Sequence, residues 1–159
     1  MEIYFLRHGL AGSRAEWDGP DSERPLTDQG KRRMRREAAT LANLGLCPQV
    51  ILTSPLVRAE QTAEIVAEAL KMAGRTVRDE RLSPGFQVDD LRGILADTAD
   101  VGSLLLVGHE PDLSEAVSVL VGGCRLVLKK GALARVDAGD RSLADAELVW
   151  LLPPSLLAL

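Results

Sequence analysis

Apolar residues follow two rhythms along the chain. Short unbroken runs, Glu2-Ile3-Tyr4-Phe5-Leu6, Val50-Ile51-Leu52-Thr53 and Ser103-Leu104-Leu105-Leu106-Val107, predict strands buried on both faces. Between the first two, Met34, Ala38, Leu41 and Ala42 recur at helical spacing from Asp28 to about Leu44, with Thr27 placed as N-cap and Gly45 as stop. Ala59, Ala63, Val66 and Leu70 mark a second helix, for which Ser54 reads as N-cap, Pro55 as first helical residue and Gly74 as the close. Thr76 to Asp79 reads as a short strand, and Val88 to Leu95 as a modest helix after the Ser83-Pro84-Gly85 turn. Asp112 followed by Glu115 resembles a capping box that opens a helix through about Val121. Leu126 to Val136 and Glu147 to Leu152 read as two late strands forming an antiparallel pair. This alternation predicts the α/β class: a three-layer α/β/α sandwich with a mostly parallel sheet and an antiparallel edge.

Composition narrows the picture. A chain of 159 residues, 46% hydrophobic and 26% charged, is sized for one domain, residues 1–159, with a sizeable core. Aromatic residues make up only 3%, so that core must be aliphatic. The net charge of -4 argues against a nucleic-acid partner, whose phosphates demand an excess of lysine and arginine. The basic run Lys31-Arg32-Arg33-Met34-Arg35-Arg36 reads as a solvated helix face. Cys47 and Cys124 are too few for a disulfide framework and too far apart for a Cys-x-x-Cys site, so reduced structural thiols are expected. The apolar run before Arg7 is too short for a signal peptide or a membrane span, and a cytoplasmic chain with no membrane partner is the expectation.

The chemistry concentrates at the strand ends. In open α/β sheets ligands bind outside the carboxyl ends of the strands, and both histidines of the chain, His8 and His109, follow directly on buried runs. Arg7 precedes His8, and Arg58 falls in the first turn of the second helix. Two imidazoles and two guanidiniums without a carboxylate cluster for a metal suit a dianion, because guanidinium forks match phosphate oxygens. Phosphoryl transfer needs an in-line nucleophile and dense positive charge, and a neutral imidazole can be that nucleophile. The stretch from Leu10 to Pro25 carries no apolar period and reads as a long functional loop.

These residues carry a resemblance. Leu6-Arg7-His8-Gly9, Arg24-Pro25-Leu26-Thr27, Ser54-Pro55-Leu56-Val57-Arg58-Ala59-Glu60-Gln61-Thr62-Ala63 and Val107-Gly108-His109-Glu110-Pro111 resemble the histidine phosphatase (phosphoglycerate-mutase-like) superfamily. The short length, Gly108 to Leu113, Lys129-Lys130-Gly131-Ala132-Leu133-Ala134 and the terminal Trp150-Leu151-Leu152 resemble its SixA-type phosphohistidine phosphatases. The resemblance implies that His8 is transiently phosphorylated, that Arg7, Arg58 and His109 bind the phosphoryl group, and that no cofactor is needed. Arg24 becomes a candidate at the mouth of the site, with a loop salt bridge as its alternative.

One departure bears on the substrate. Larger members of the superfamily protonate an alcohol leaving group with an acid that has no clear counterpart here. Glu110 and Glu80 are the candidates, with Asp79 beside them, and a structural role is the alternative for each. Imidazole has a reference pKa of about 6.5 and bulk water about 15.7, so a phosphoramidate needs less help to leave. The expected substrate is therefore phosphohistidine on a partner protein, for example a histidine phosphotransfer domain. Two alternatives stand beside it: a small-molecule phosphomonoesterase acting on a phosphorylated metabolite, and a non-catalytic phosphoprotein-binding module.

Overall fold

The first buried run forms β1, Glu2–Arg7, at the centre of a six-stranded sheet. In the computed structural model, which describes residues 1–158, the other strands are β2 (Val50–Thr53), β3 (Thr76–Arg78), β4 (Ser103–Gly108), β5 (Leu133–Asp137) and β6 (Glu147–Leu152). They lie in the order β3-β2-β4-β1-β5-β6. The β3-β2, β2-β4 and β4-β1 contacts are parallel, and β5 and β6 add the antiparallel edge.

Alternate residues of each strand feed two cores. Ile3, Phe5, Leu52, Leu104 and Leu106 face α3 (Val88–Asp97) and α4 (Asp112–Leu120) through Leu91, Ile94, Leu113 and Val117. Tyr4, Leu6, Ile51, Leu105 and Val107 face α1 (Asp28–Asn43), α2 (Val57–Ala69) and α5 (Pro154–Leu157) through Ala38, Leu41, Ala63, Val66 and Leu157. This is the three-layer sandwich that the two rhythms predict, with an aliphatic core. No described helix is long and apolar enough to cross a membrane.

Several boundaries differ from the sequence expectation, each for a local reason. The first helix starts as predicted, with Thr27 Oγ1 accepting from the Gly30 amide at 2.9 Å. The second begins at Val57 rather than at Pro55, which frees the Ser54 hydroxyl from a conventional cap. The expected Asp112–Glu115 box does not form. The Glu110 carboxylate accepts from the Ser114 amide at 3.1 Å, and Asp112 accepts from the Gly85 amide at 2.8 Å. Strand pairing from Leu126 onward starts only at Leu133, because the segment before it crosses the end of β1. There the Leu128 carbonyl accepts from Arg7 Nη1 at 2.8 Å and the Gly131 amide donates to the Arg7 carbonyl at 3.2 Å. Cys47 and Cys124 are free but exposed, so they are not packing groups of the core. In the basic run only Met34 is buried, and Arg33 pairs with Glu37. The tail packs through Pro154 and Leu157, while Leu156 is exposed and Leu159 lies outside the described residues.

Candidate active site

The connections decide where polar side chains gather. The chain leaves β1 through α1 on one face and leaves β4 through α4 on the other, and β1 and β4 are neighbours. Backbone bonds knit the strand ends together: the His8 amide donates to the Gly108 carbonyl at 3.1 Å, and the Ser54 amide to Val107 at 3.0 Å. His8, His109 and Arg58 are brought together there, all nearly buried. The imidazole centroids of His8 and His109 lie 5.2 Å apart.

The hydrogen bonds of His8 assign its tautomer. Nδ1 lies 2.8 Å from the Gly9 carbonyl, which can only accept, so Nδ1 carries the proton and Nε2 a bare lone pair. That lone pair accepts from Arg58 Nε at 3.3 Å. Burial pushes the imidazole pKa down to about 3, with the charges of His109, Arg58 and Arg7 acting in the same sense against the Gly9 bond. His8 is therefore neutral through the physiological range, with Nε2 unprotonated.

His109 is held by Ser54, whose hydroxyl lies 2.8 Å from Nε2 and also accepts from the Leu56 amide at 3.3 Å. Burial first, and then the charge of Arg58, lower its pKa to about 4. Its Nδ1 is buried without a partner among the described residues, as is Nε of Arg7. Orphaned buried polar atoms cost stability, and because the charge of Arg7 acts on both imidazoles, these two orphans mark a place suited to an acceptor-rich ligand.

Arg58 is anchored from outside. Nη1 donates to the Asp21 carbonyl at 2.7 Å and Nη2 to Asp21 Oδ2 at 3.0 Å. Arg24 lies at this mouth: its Nε donates to Asp21 Oδ1 at 2.9 Å and its Nη1 to the Gly12 carbonyl at 2.6 Å. The loop salt bridge given as the alternative for Arg24 is thus present. From the other side, Thr62 Oγ1 accepts from the Gly9 amide at 3.0 Å and donates to the Arg58 carbonyl at 2.7 Å.

A search of family models matches residues 3–83 to the histidine phosphatase superfamily, branch 1. The chain belongs to that superfamily. An uncharacterized protein of Picosynechococcus is 38% identical over 99% of each chain. The phosphohistidine phosphatase SixA of Escherichia coli is 31% identical over 77% of this chain and 76% of its own. A solved structure of the protein histidine phosphatase SixA complexed with tungstate superposes with a TM-score of 0.86, at 28% identity over 98% of both chains. Within the superfamily the likeness is to the SixA type.

In this member of the superfamily the two candidate acids lie in different settings. Both carboxylate oxygens of Glu110 are engaged by Ser114, from its amide at 3.1 Å and its hydroxyl at 2.6 Å. Burial nevertheless raises the Glu110 pKa. Glu80 is exposed in a 3-10 turn, and Asp79 is paired with Arg81. Neither makes a hydrogen bond to His8, His109 or Arg58.

Four contributors carry no site role in the sequence reading. Ser54 reads as a cap, Thr62 stands only within the Ser54–Ala63 motif that carries the resemblance, and nothing in a loop marks Asp21. The fourth is Lys130, which pairs with no acid among the described residues. Its pKa is lowered by burial and by the charges of Arg7, Arg24 and Arg58. Two signals were available: the departure of Lys129-Lys130-Gly131 from an otherwise apolar stretch, and the place of that stretch in the resemblance.

Proposed function

We propose that this protein is a phosphatase working through a phosphohistidine at His8, and that its substrate is phosphohistidine on a partner protein. The observation that carries the reading is the bare Nε2 of a neutral, buried His8 faced by Arg58, with two orphaned polar atoms, Arg7 Nε and His109 Nδ1, in the same cluster. A phosphoryl group supplies the acceptors this cluster lacks. The relative solved with tungstate, a tetrahedral dianion, supports the same ligand chemistry.

In the first step His8 Nε2 attacks phosphorus, the N–P bond forms and the bond to the leaving nitrogen breaks. Arg7, Arg58 and His109 Nδ1 stabilise the equatorial oxygens. The departing imidazole keeps the bonding pair and takes a proton from solvent. Water then attacks phosphorus, the P–O bond forms as the N–P bond breaks with its pair returning to His8 Nε2, the attacking water gives up a proton to solvent, and phosphate leaves. Both candidate carboxylates stand outside the hydrogen bonds of the site, which suits a leaving group that needs no strong acid. All 159 residues serve as one domain in this reading.

A second reading, a phosphomonoesterase for small metabolites, is favoured by one feature. The raised pKa of Glu110 next to His109 is what an acid for an alcohol leaving group requires. Phosphate release from a phosphohistidine protein, p-nitrophenyl phosphate and metabolite phosphates by wild type and His8→Ala separates the readings. His8-dependent preference for phosphohistidine supports the first. Preference for an alkyl phosphate, abolished in Glu110→Gln, supports the second and overturns the first.

A further inference from the structure

Asp21 is the point where the loop after β1 grips the site. Its carboxylate receives Arg24 at 2.9 Å, Arg58 at 3.0 Å and Arg14 at 3.3 Å, and its backbone carbonyl receives Arg58 at 2.7 Å. Burial opposes the charge on Asp21, but the hydrogen bond from Arg24 and the charge of Arg58 outweigh it and hold the carboxyl below its usual range. The anion is therefore present whenever the enzyme is folded near neutral pH.

A guanidinium has five N–H groups in one plane, and the way Arg58 spends them is informative. Both terminal nitrogens turn outward to Asp21, while Nε turns inward to His8 Nε2. The side edge, which carries Nε and the remaining N–H of Nη2, is thereby aimed at the nucleophile. A fork held at that edge fits two oxygens of a phosphoryl group on Nε2. Without Asp21, Arg58 has the rotamer freedom of a long side chain and no other acidic partner among the described residues.

We propose that Asp21 is a positioning residue for the reaction. It holds the outer edge of Arg58 so that the inner edge meets the transferring phosphoryl group. This rests on the reading of His8 as nucleophile. It has a consequence that a purely structural role lacks. Asp21 is also the competing anion on three arginines, so removing it strengthens the field that attracts a free oxyanion while loosening the group that stabilises the transition state. Ground-state anion affinity and turnover move in opposite directions.

The test measures kcat and KM on a phosphohistidine protein, tungstate affinity by calorimetry and thermal midpoint for wild type, Asp21→Ala and Asp21→Asn, with His8→Ala as control. The expected result is a fall in kcat on the order of 10- to 100-fold for Asp21→Ala, the usual scale for a misplaced group. Tungstate should bind as tightly as to wild type or more tightly, and Asp21→Asn, which keeps an acceptor oxygen for Nη2, should fall between. Unchanged kcat in both variants overturns the proposal. So does a rise in kcat, which would make Asp21 a plug on the site. If Asp21→Ala does not fold, Asp21→Asn decides, and a kcat within twofold of wild type counts against positioning. A His8→Ala protein as active as wild type would instead refute the underlying reading, whatever the Asp21 variants do.

Discussion

Nε of Arg58 stands 3.3 Å from Nε2 of His8, so in the proposed reaction the lone pair that attacks phosphorus rests on the donor that binds the phosphoryl oxygens. The same N–H can shift from nitrogen to oxygen as the bond to phosphorus forms. Lysine would keep one positive charge but lose the planar fork. Arg58→Lys should lower kcat by about 100- to 1,000-fold, the scale for removing a preorganised donor. Steady-state kinetics on a phosphohistidine protein check this, and a loss under threefold would place Arg58 outside the transition state.

Acid stability should report the two imidazoles. Their folded pKa values, about 3 for His8 and about 4 for His109, lie below the unfolded value of about 6.5. Between those limits the unfolded chain binds protons that the folded chain refuses, so this contribution is complete above the unfolded pKa and is lost as pH falls. Glu37, raised to about 7 by burial, runs the other way: its contribution is present at low pH and is lost as pH rises. A comparison with His109→Asn cancels Glu37. The stability difference, wild type minus variant, should shrink between about pH 7 and pH 4 in denaturant titrations. A constant difference would mean that His109 is not depressed.

Gly131 connects the site to a buried acid. It has φ of 86°, and a Cβ there would press into the Glu37 carboxylate. Its amide also donates to the Arg7 carbonyl at 3.2 Å. Gly131→Ala should therefore cost about 1–3 kcal/mol in denaturant midpoints, the range for a non-glycine residue held in the left-handed region. It should also reduce kcat by displacing Arg7. A variant as stable as wild type would contradict this packing.

Lys130 shares its surroundings with Arg7, Arg24 and Arg58 and has no acid of its own among the described residues. On the proposed reading such a cation adds to the field that attracts a charged substrate. Lys130→Ala should raise KM for a phosphohistidine protein about 3- to 10-fold, with kcat little changed and a weaker dependence on salt. An equal fall of kcat would move Lys130 into the phosphoryl site itself.

What the sequence disclosed follows from periodicity and rarity. Buried runs that end in Arg7-His8 and Gly108-His109 are legible because strands of this kind leave their chemistry at the carboxyl end, and the chain has only two histidines. Arg58 was legible as a first-turn residue of a helix. Asp21 was not, since the loop that holds it has no period and its role depends on three arginines, Arg14, Arg24 and Arg58, that only the fold collects. Ser54 was misread because a serine before a proline usually caps a helix, whereas here the helix starts later and the hydroxyl serves His109. The same rule of local chemistry assigned a capping box to Asp112, but Glu110 reaches the helix amide first.

The central claim is that Nε2 of His8 carries the phosphoryl group in mid-reaction. The direct measurement is to mix the enzyme with a phosphohistidine protein, quench in base within the first turnover, and locate the phosphoryl group by mass spectrometry and phosphorus NMR. The account predicts an acid-labile phosphoryl group on Nε2 of His8, formed at the rate of turnover and absent from His8→Ala. Turnover that persists in His8→Ala, or a phosphoryl group found on His109 instead, would contradict it.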